Sequence, residues 1–76
     1  MATYFKVYTT GPINEGWEER DRLIKAWAGR HSDFCCNLPD NRRVHSWSVR
    51  TYEEAKVLYR RLEHVAGITV TMKEEN

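Results

Sequence analysis

A chain of 76 residues has room for one domain, residues 1–76, near the lower limit at which a core holds without staples, so any cleft in it is shallow. Apolar residues at 41% and aromatics at 12% exclude a disordered tail, and a net charge of +1 excludes the general pull on polyanions of a strongly basic domain. No apolar run approaches the roughly 18 residues of a membrane span, and the first residues lack the layout of a secretory leader. A cytoplasmic protein is therefore expected, and the neighbouring Cys35 and Cys36, too strained for a mutual disulfide, fit a reducing compartment.

Along the chain, residues 3–9 alternate strictly and read as a strand with Phe5 and Val7 toward a core and Tyr4, Lys6 and Tyr8 on the other face. Thr10-Gly11-Pro12 is expected to end it. Asn14 then has the side chain to cap a helix, with Glu15, Glu18 and Glu19 favoured by the partial positive charge of its first turns. Trp17, Ile24, Trp27 and Ala28, with Leu23 beside them, form an apolar stripe that Gly29 is placed to end. Arg20 lies in the same stripe and is expected either to run its stem over apolar surface and carry its charge to the edge, or to find a carboxylate such as Asp21 or a strand-end acid.

Residues 34–38 read as a short strand, with Cys36 inward as a small hydrophobe and Cys35 outward, and Pro39-Asp40-Asn41 as a turn. Residues 42–51 return as a strand whose parity follows by elimination. An inward Val44 would also bury Ser46 and Ser48, so Trp47 and Val49 are assigned to the core, His45 to the rim, and Val44, Ser46, Ser48 and Arg50 to the open side. Thr51-Tyr52-Glu53-Glu54 is a capping box. It opens a helix whose apolar stripe is Tyr52, Ala55, Leu58, Tyr59, Leu62, Val65 and Ala66, ended by His64 and Gly67. Residues 68–73 alternate again as a last strand with Ile68, Val70 and Met72 inward, and Glu74-Glu75-Asn76 is expected to fray.

Strand, helix, strand, strand, helix, strand, joined by right-handed crossovers, gives an α+β, ferredoxin-like (split βαβ) two-layer sandwich. A four-stranded antiparallel sheet carries both helices on one face. The first and third strands are central in this plan, so Tyr4, Lys6 and Tyr8 lie next to Ser46, Ser48 and Arg50 on the uncovered face.

The catalytic and metal signals are weak. His31, Cys35, Cys36 and His45 are the right donor types for a soft metal, but adjacent strand cysteines diverge and no converging pair of the usual spacing exists beyond His31 and Cys35. No metal or cofactor is assigned. A cysteine nucleophile lacks an orienting group, and no phosphate-cradling glycine loop occurs, so the chain is read as a non-enzyme.

Two surfaces carry binding signals. Tyr4 and Tyr8 with Lys6 between them and Arg50 alongside are the residue types on which single-stranded bases stack while phosphates are neutralised. This layout resembles that of an RNA-recognition motif domain, although residues 43–49 offer no glycine or outward aromatic where that family carries its signature. The other signal is a protein interface. Tryptophan, tyrosine and arginine dominate binding hot spots, and this chain holds more of them than a two-helix core hides. Val57, flanked by Arg60 and Arg61, sits on the outer side of the second helix, and an outer strand invites pairing with a second copy. The leading expectation is a protein-binding domain acting as an inhibitor or modulator through Tyr4, Lys6, Tyr8, Arg50, Val57, Arg60 and Arg61; the alternative is a single-stranded RNA binder. In size, single-domain economy and lack of catalytic motifs the chain is similar to the host-takeover proteins of bacteriophages, anti-CRISPR inhibitors among them.

Overall fold

In a computed structural model, which describes residues 3–75, the elements are β1 (Tyr4–Pro12), α1 (Trp17–Ala28), β2 (Phe34–Leu38), β3 (Arg42–Val49), α2 (Tyr52–Leu62) and β4 (Thr69–Glu75). The strands form one antiparallel sheet in the order β2-β3-β1-β4. This is the expected ferredoxin-like arrangement, with β1 and β3 central and both helices on one face.

Alternation in β1 sets the two sides of the sheet. Val7 and Thr9 are buried and Phe5 packs against the core from the helix side, while Tyr4, Lys6 and Tyr8 are only partly covered on the other. Val7, Ile24, Ala28, Trp47, Ala55, Leu58, Leu62 and Val65 make up the buried apolar core. Trp47 is fully enclosed and donates its indole N–H to Arg30 O at 3.5 Å, the usual way for a buried indole to avoid an unpaired donor.

Several boundaries differ from the sequence reading. β1 does not stop at Thr10 but continues through Gly11 and Pro12, which pair with Arg43 and Arg42 of β3. A Cβ on Gly11 would stand 3.0 Å from an Ile68 methyl carbon, so the missing side chain admits a close approach and does not end the strand. Pro12 is tolerated because β4 pairing ends at Thr10, which removes one of the two neighbours to which a central strand donates.

Asn14 does not cap α1. The cap position is Gly16 in the left-handed region at φ 89°, with no side-chain cap bond, and the Asn14 carbonyl accepts from Trp17 N–H in the preceding turn. Asn14 Oδ1 instead accepts from Arg20, 3.0 Å away, while Arg20 also donates to Pro12 O at 2.7 Å. Arg20 thus carries its charge to the end of β1, the first of the two expected outcomes, and not to Asp21. At the other end Gly29, φ 82°, donates its N–H to Lys25 O, as its position in the sequence indicated.

α2 opens on the predicted cap: Thr51 Oγ1 accepts the Glu54 N–H at 3.1 Å. The reciprocal half differs, because the Glu54 carboxylate accepts from the Thr51 hydroxyl rather than from its backbone. The helix ends at Leu62, and tight turns carry the chain to Gly67. Glu74 and Glu75 do not fray; they extend β4 opposite Phe5 and Tyr4, while Asn76 lies outside the described residues. Between β2 and β3, Asn41 adopts φ 64° and its side-chain amide donates to Ile13 O at 3.0 Å, tying the predicted turn to the end of β1.

β3 has the expected parity, yet Ser46 is 4% exposed although it lies on the open side. Its cross-strand neighbours are Tyr8 and Phe34, and large side chains on both flanks roof over a small one. The cysteines are reversed relative to expectation. Cys35 pairs with His45, which puts it on the helix side, and Cys36 pairs with Val44 on the open side. A five-residue strand without apolar alternation takes its facing from its neighbour's register.

Candidate functional site

The predicted binding residues separate onto opposite sides of the sheet. Tyr4, Lys6 and Tyr8 stay on the open face, where Lys6 pairs with Ser48 and Tyr8 with Ser46 as the topology implied. Arg50 leaves that row. It follows Val49, the last residue of β3, in the bend that leads to the Thr51 cap, and has no partner in β1.

Arg50 lines a groove of about 650 Å³ on the helix side. Ala28, Leu58 and Val57 supply its apolar surface, and Arg30, Arg50 and Arg61 stand around them, with Glu53 and Glu54 at the start of α2. Val57 is 51% exposed, on the outer side of α2 as expected. Arg60 is exposed too, but one helical step takes it away from the groove lining. Arg30 is partly engaged, donating to Ser48 O at 3.1 Å and standing 3.7 Å from Asp33. Arg50 and Arg61 have no carboxylate partner among the described residues.

Trp27, 41% exposed, adds an aromatic to this side, stacked on His64 with ring centroids 4.4 Å apart and planes at 11°. The sequence reading placed Trp27 in the core stripe and did not count it for binding. Its stacking on α2 depends on how the helices pair, which the periodicity of α1 alone does not contain.

A second cavity, about 400 Å³, lies between α1 and the β2–β3 side of the sheet and holds most of the donor types singled out in the sequence. His31, Cys35 and His45 all line it, whereas Cys36 is turned to the open face. Among the described residues no group of three or more histidine, cysteine or acidic side chains is disposed to hold a metal ion. The cavity is organised by Asp21: Oδ2 accepts from Arg43 Nε at 2.7 Å, and Oδ1 lies 2.9 Å from His45 Nε2. A carboxylate only accepts, so Nε2 carries a proton toward Oδ1, and Nδ1 lies 3.0 Å from the Ser32 hydroxyl on the other side of the ring. Arg43 is itself fixed by Asn37 at 2.8 Å and by the face of Trp17, 4.9 Å from its guanidinium carbon.

This chain of Ser32, His45 and Asp21 has the order of a nucleophile, base and orienting acid. Arg43 shares the Asp21 carboxylate with His45, and the amide following Ser32, that of Asp33, donates to Ser46 O at 2.8 Å. What the network does is bind α1 to β3, a central strand of the sheet. Sequence spacing gave little sign of it, since its members stand 22 and 24 residues apart.

No family model matches the chain, and no curated protein matches it in sequence. Among solved structures it is similar to the uncharacterized protein TM1266 from Thermotoga maritima, with a TM-score of 0.61, 9% identity and 96% of each chain covered. That likeness supports the fold. No helix among the described residues is long and apolar enough to cross a membrane.

Proposed function

We propose that this domain is a non-enzymatic protein-binding module that acts as an inhibitor or modulator by covering part of its target. The reading rests on one observation: Arg50 and Arg61, without carboxylate partners among the described residues, flank exposed Val57 in the helix-side groove. Arginine is enriched in interface hot spots, where guanidinium groups lose water to planar partners while neighbouring apolar area is buried. The partner that fits is a protein segment with an apolar side chain for the space between Val57 and Leu58 and carboxylates to reach the arginines. Of the predicted residues, Arg50, Val57 and Arg61 carry this role, Arg30 joins them, and Arg60 lies outside the lining.

The test is affinity capture from native lysate with nuclease present, using the wild-type chain, Val57→Asp and Tyr8→Ala side by side. A partner retained by wild type and Tyr8→Ala but lost by Val57→Asp supports the groove, provided both variants unfold at the wild-type denaturant midpoint. A protein captured equally by Val57→Asp and by the double variant Arg50→Glu, Arg61→Glu would refute it.

A further inference from the structure

The helix-side groove leaves Tyr4, Lys6 and Tyr8 without a use, and the sheet register enlarges that group. Lys6 stands directly opposite Lys73 of β4, and Phe34, 57% exposed, shares a cross-strand row with Ser46 and Tyr8. Like charges at directly opposed strand positions repel, and neither lysine has a carboxylate partner among the described residues. Core packing does not demand either lysine, because both project from the uncovered face. The arrangement is a local cost in the free domain that an anionic partner removes.

The spacing narrows the choice of anion. Side chains on one face of a strand repeat every ~7 Å, so Lys6 is about that far along β1 from Tyr4 on one side and Tyr8 on the other. Phe34 lies two strands from Tyr8, about 10 Å across the sheet. Rings and ammonium groups therefore alternate over a shallow floor in which small Ser46 is already covered. An acidic peptide would answer the lysines but brings no regular run of aromatic planes to set on three rings. A nucleic acid strand has both, with bases for the rings and phosphates for the lysines between them. The exposed hydroxyl residues Ser48 and Thr71 neighbour Lys6 and Tyr8 in the register and suit a ribose 2′-hydroxyl, which donates and accepts. Glu75, opposite Tyr4, bounds the positive area at the far end of the row.

We infer that the open sheet face is a binding site for single-stranded RNA, with Tyr4, Tyr8 and Phe34 as stacking platforms and Lys6 and Lys73 as phosphate contacts. It is separate from the helix-side groove, so the domain engages a protein on one side and an RNA strand on the other.

The experiment is fluorescence anisotropy of a labelled short oligouridylate titrated with the intact chain at several salt concentrations. Neutralising two phosphates on a single strand gives log affinity a slope of about −1.4 against log salt, and Lys73→Gln should remove about half of it. Tyr8→Ala and Phe34→Ala should each weaken binding about ten-fold, the scale of one lost base stack. Val57→Asp should leave the RNA affinity unchanged, which separates this result from the fate of the groove. Saturable binding of the oligouridylate, weaker for the same-length DNA and for polyglutamate, supports the site. No saturable binding, equal binding of polyglutamate or DNA, or an affinity indifferent to Tyr8→Ala and Phe34→Ala would each overturn it.

Discussion

The two helices lie on the same face of one sheet and are held there by different physics. α2 packs over β1, β3 and β4 and buries Ala55, Leu58 and Leu62, so its attachment is apolar. α1 packs chiefly on α2, buries only Ile24 and Ala28, and reaches the strands through polar side chains: Arg20 to Pro12 O, and Asp21 to Arg43 and His45. Their starts differ likewise, a threonine cap on one and a left-handed glycine on the other. Apolar burial is non-directional and tolerates small shifts, whereas charged hydrogen bonds are directional. α2 is thus the helix that supplies the core, and α1 is the one whose position is specified by a few bonds.

The strongest way to break this contrast is to empty the core beneath α2. Leu62 is fully buried, and Leu62→Ala should cost about 2–5 kcal/mol in chemical denaturation, the range for a leucine cavity. A loss well below that would mean that α2 is not the main apolar anchor. Next comes the polar anchor of α1. Asp21→Ala leaves Arg43 and His45 facing each other without their shared acceptor and should cost about 1–3 kcal/mol. In a double-mutant cycle Arg43→Ala should add little to it; full additivity would dismiss the network as a unit.

The helix starts give smaller effects. Gly16→Ala meets no steric obstacle, yet it forces a Cβ into φ 89° and should cost about 1–2 kcal/mol, an amount that Gly16→Asn should partly recover. Equal stability of the alanine variant would mean that α1 can begin elsewhere. Thr51→Ala should cost ~1 kcal/mol through loss of the bond to Glu54 N–H. Smallest is Val57→Ala, within about 0.5 kcal/mol in stability because the side chain is already exposed, so that any larger change appears only in partner capture. Native-state hydrogen exchange sharpens the comparison without mutation: amides of α1 should exchange before those of α2. The reverse order would contradict the assignment of anchors.

The same division explains what could be read from the sequence. α2 was legible because its cap, its stripe and the inward parity of β1 are local patterns that tertiary packing then reinforced. α1 was legible in Ile24, Ala28 and Gly29 but not in Leu23 and Trp27, which are exposed, nor in its start, where Asn14 offered a chemically reasonable cap that Arg20 diverted to the end of β1. The sequence offers Asp21 only as a partner for Arg20, because its partners in the fold come from β3, far along the chain. On the open face the Tyr4, Lys6 and Tyr8 row was visible from alternation alone. Lys73 and Phe34 joined it only once strand register was known, and Arg50 dropped out because β3 ended one residue before it. The groove was half visible in the same way. Val57 and Arg61 are neighbours on one helix, but Arg30 and Arg50 reach them from loops whose paths depend on the finished fold.

The register gives Cys35 and Cys36 a use apart from metal binding or nucleophilic chemistry. Consecutive strand residues project through opposite sides of the sheet, so Cys35, exposed beside the Asp21 cavity, and Cys36, half-buried beside Val44, look out on different surroundings. A thiol-reactive dye on a Cys36→Ser chain reports events on the helix side, and one on a Cys35→Ser chain reports events on the sheet side. The molecule already carries a matched pair of attachment points, one for each surface on which a visitor is proposed to land.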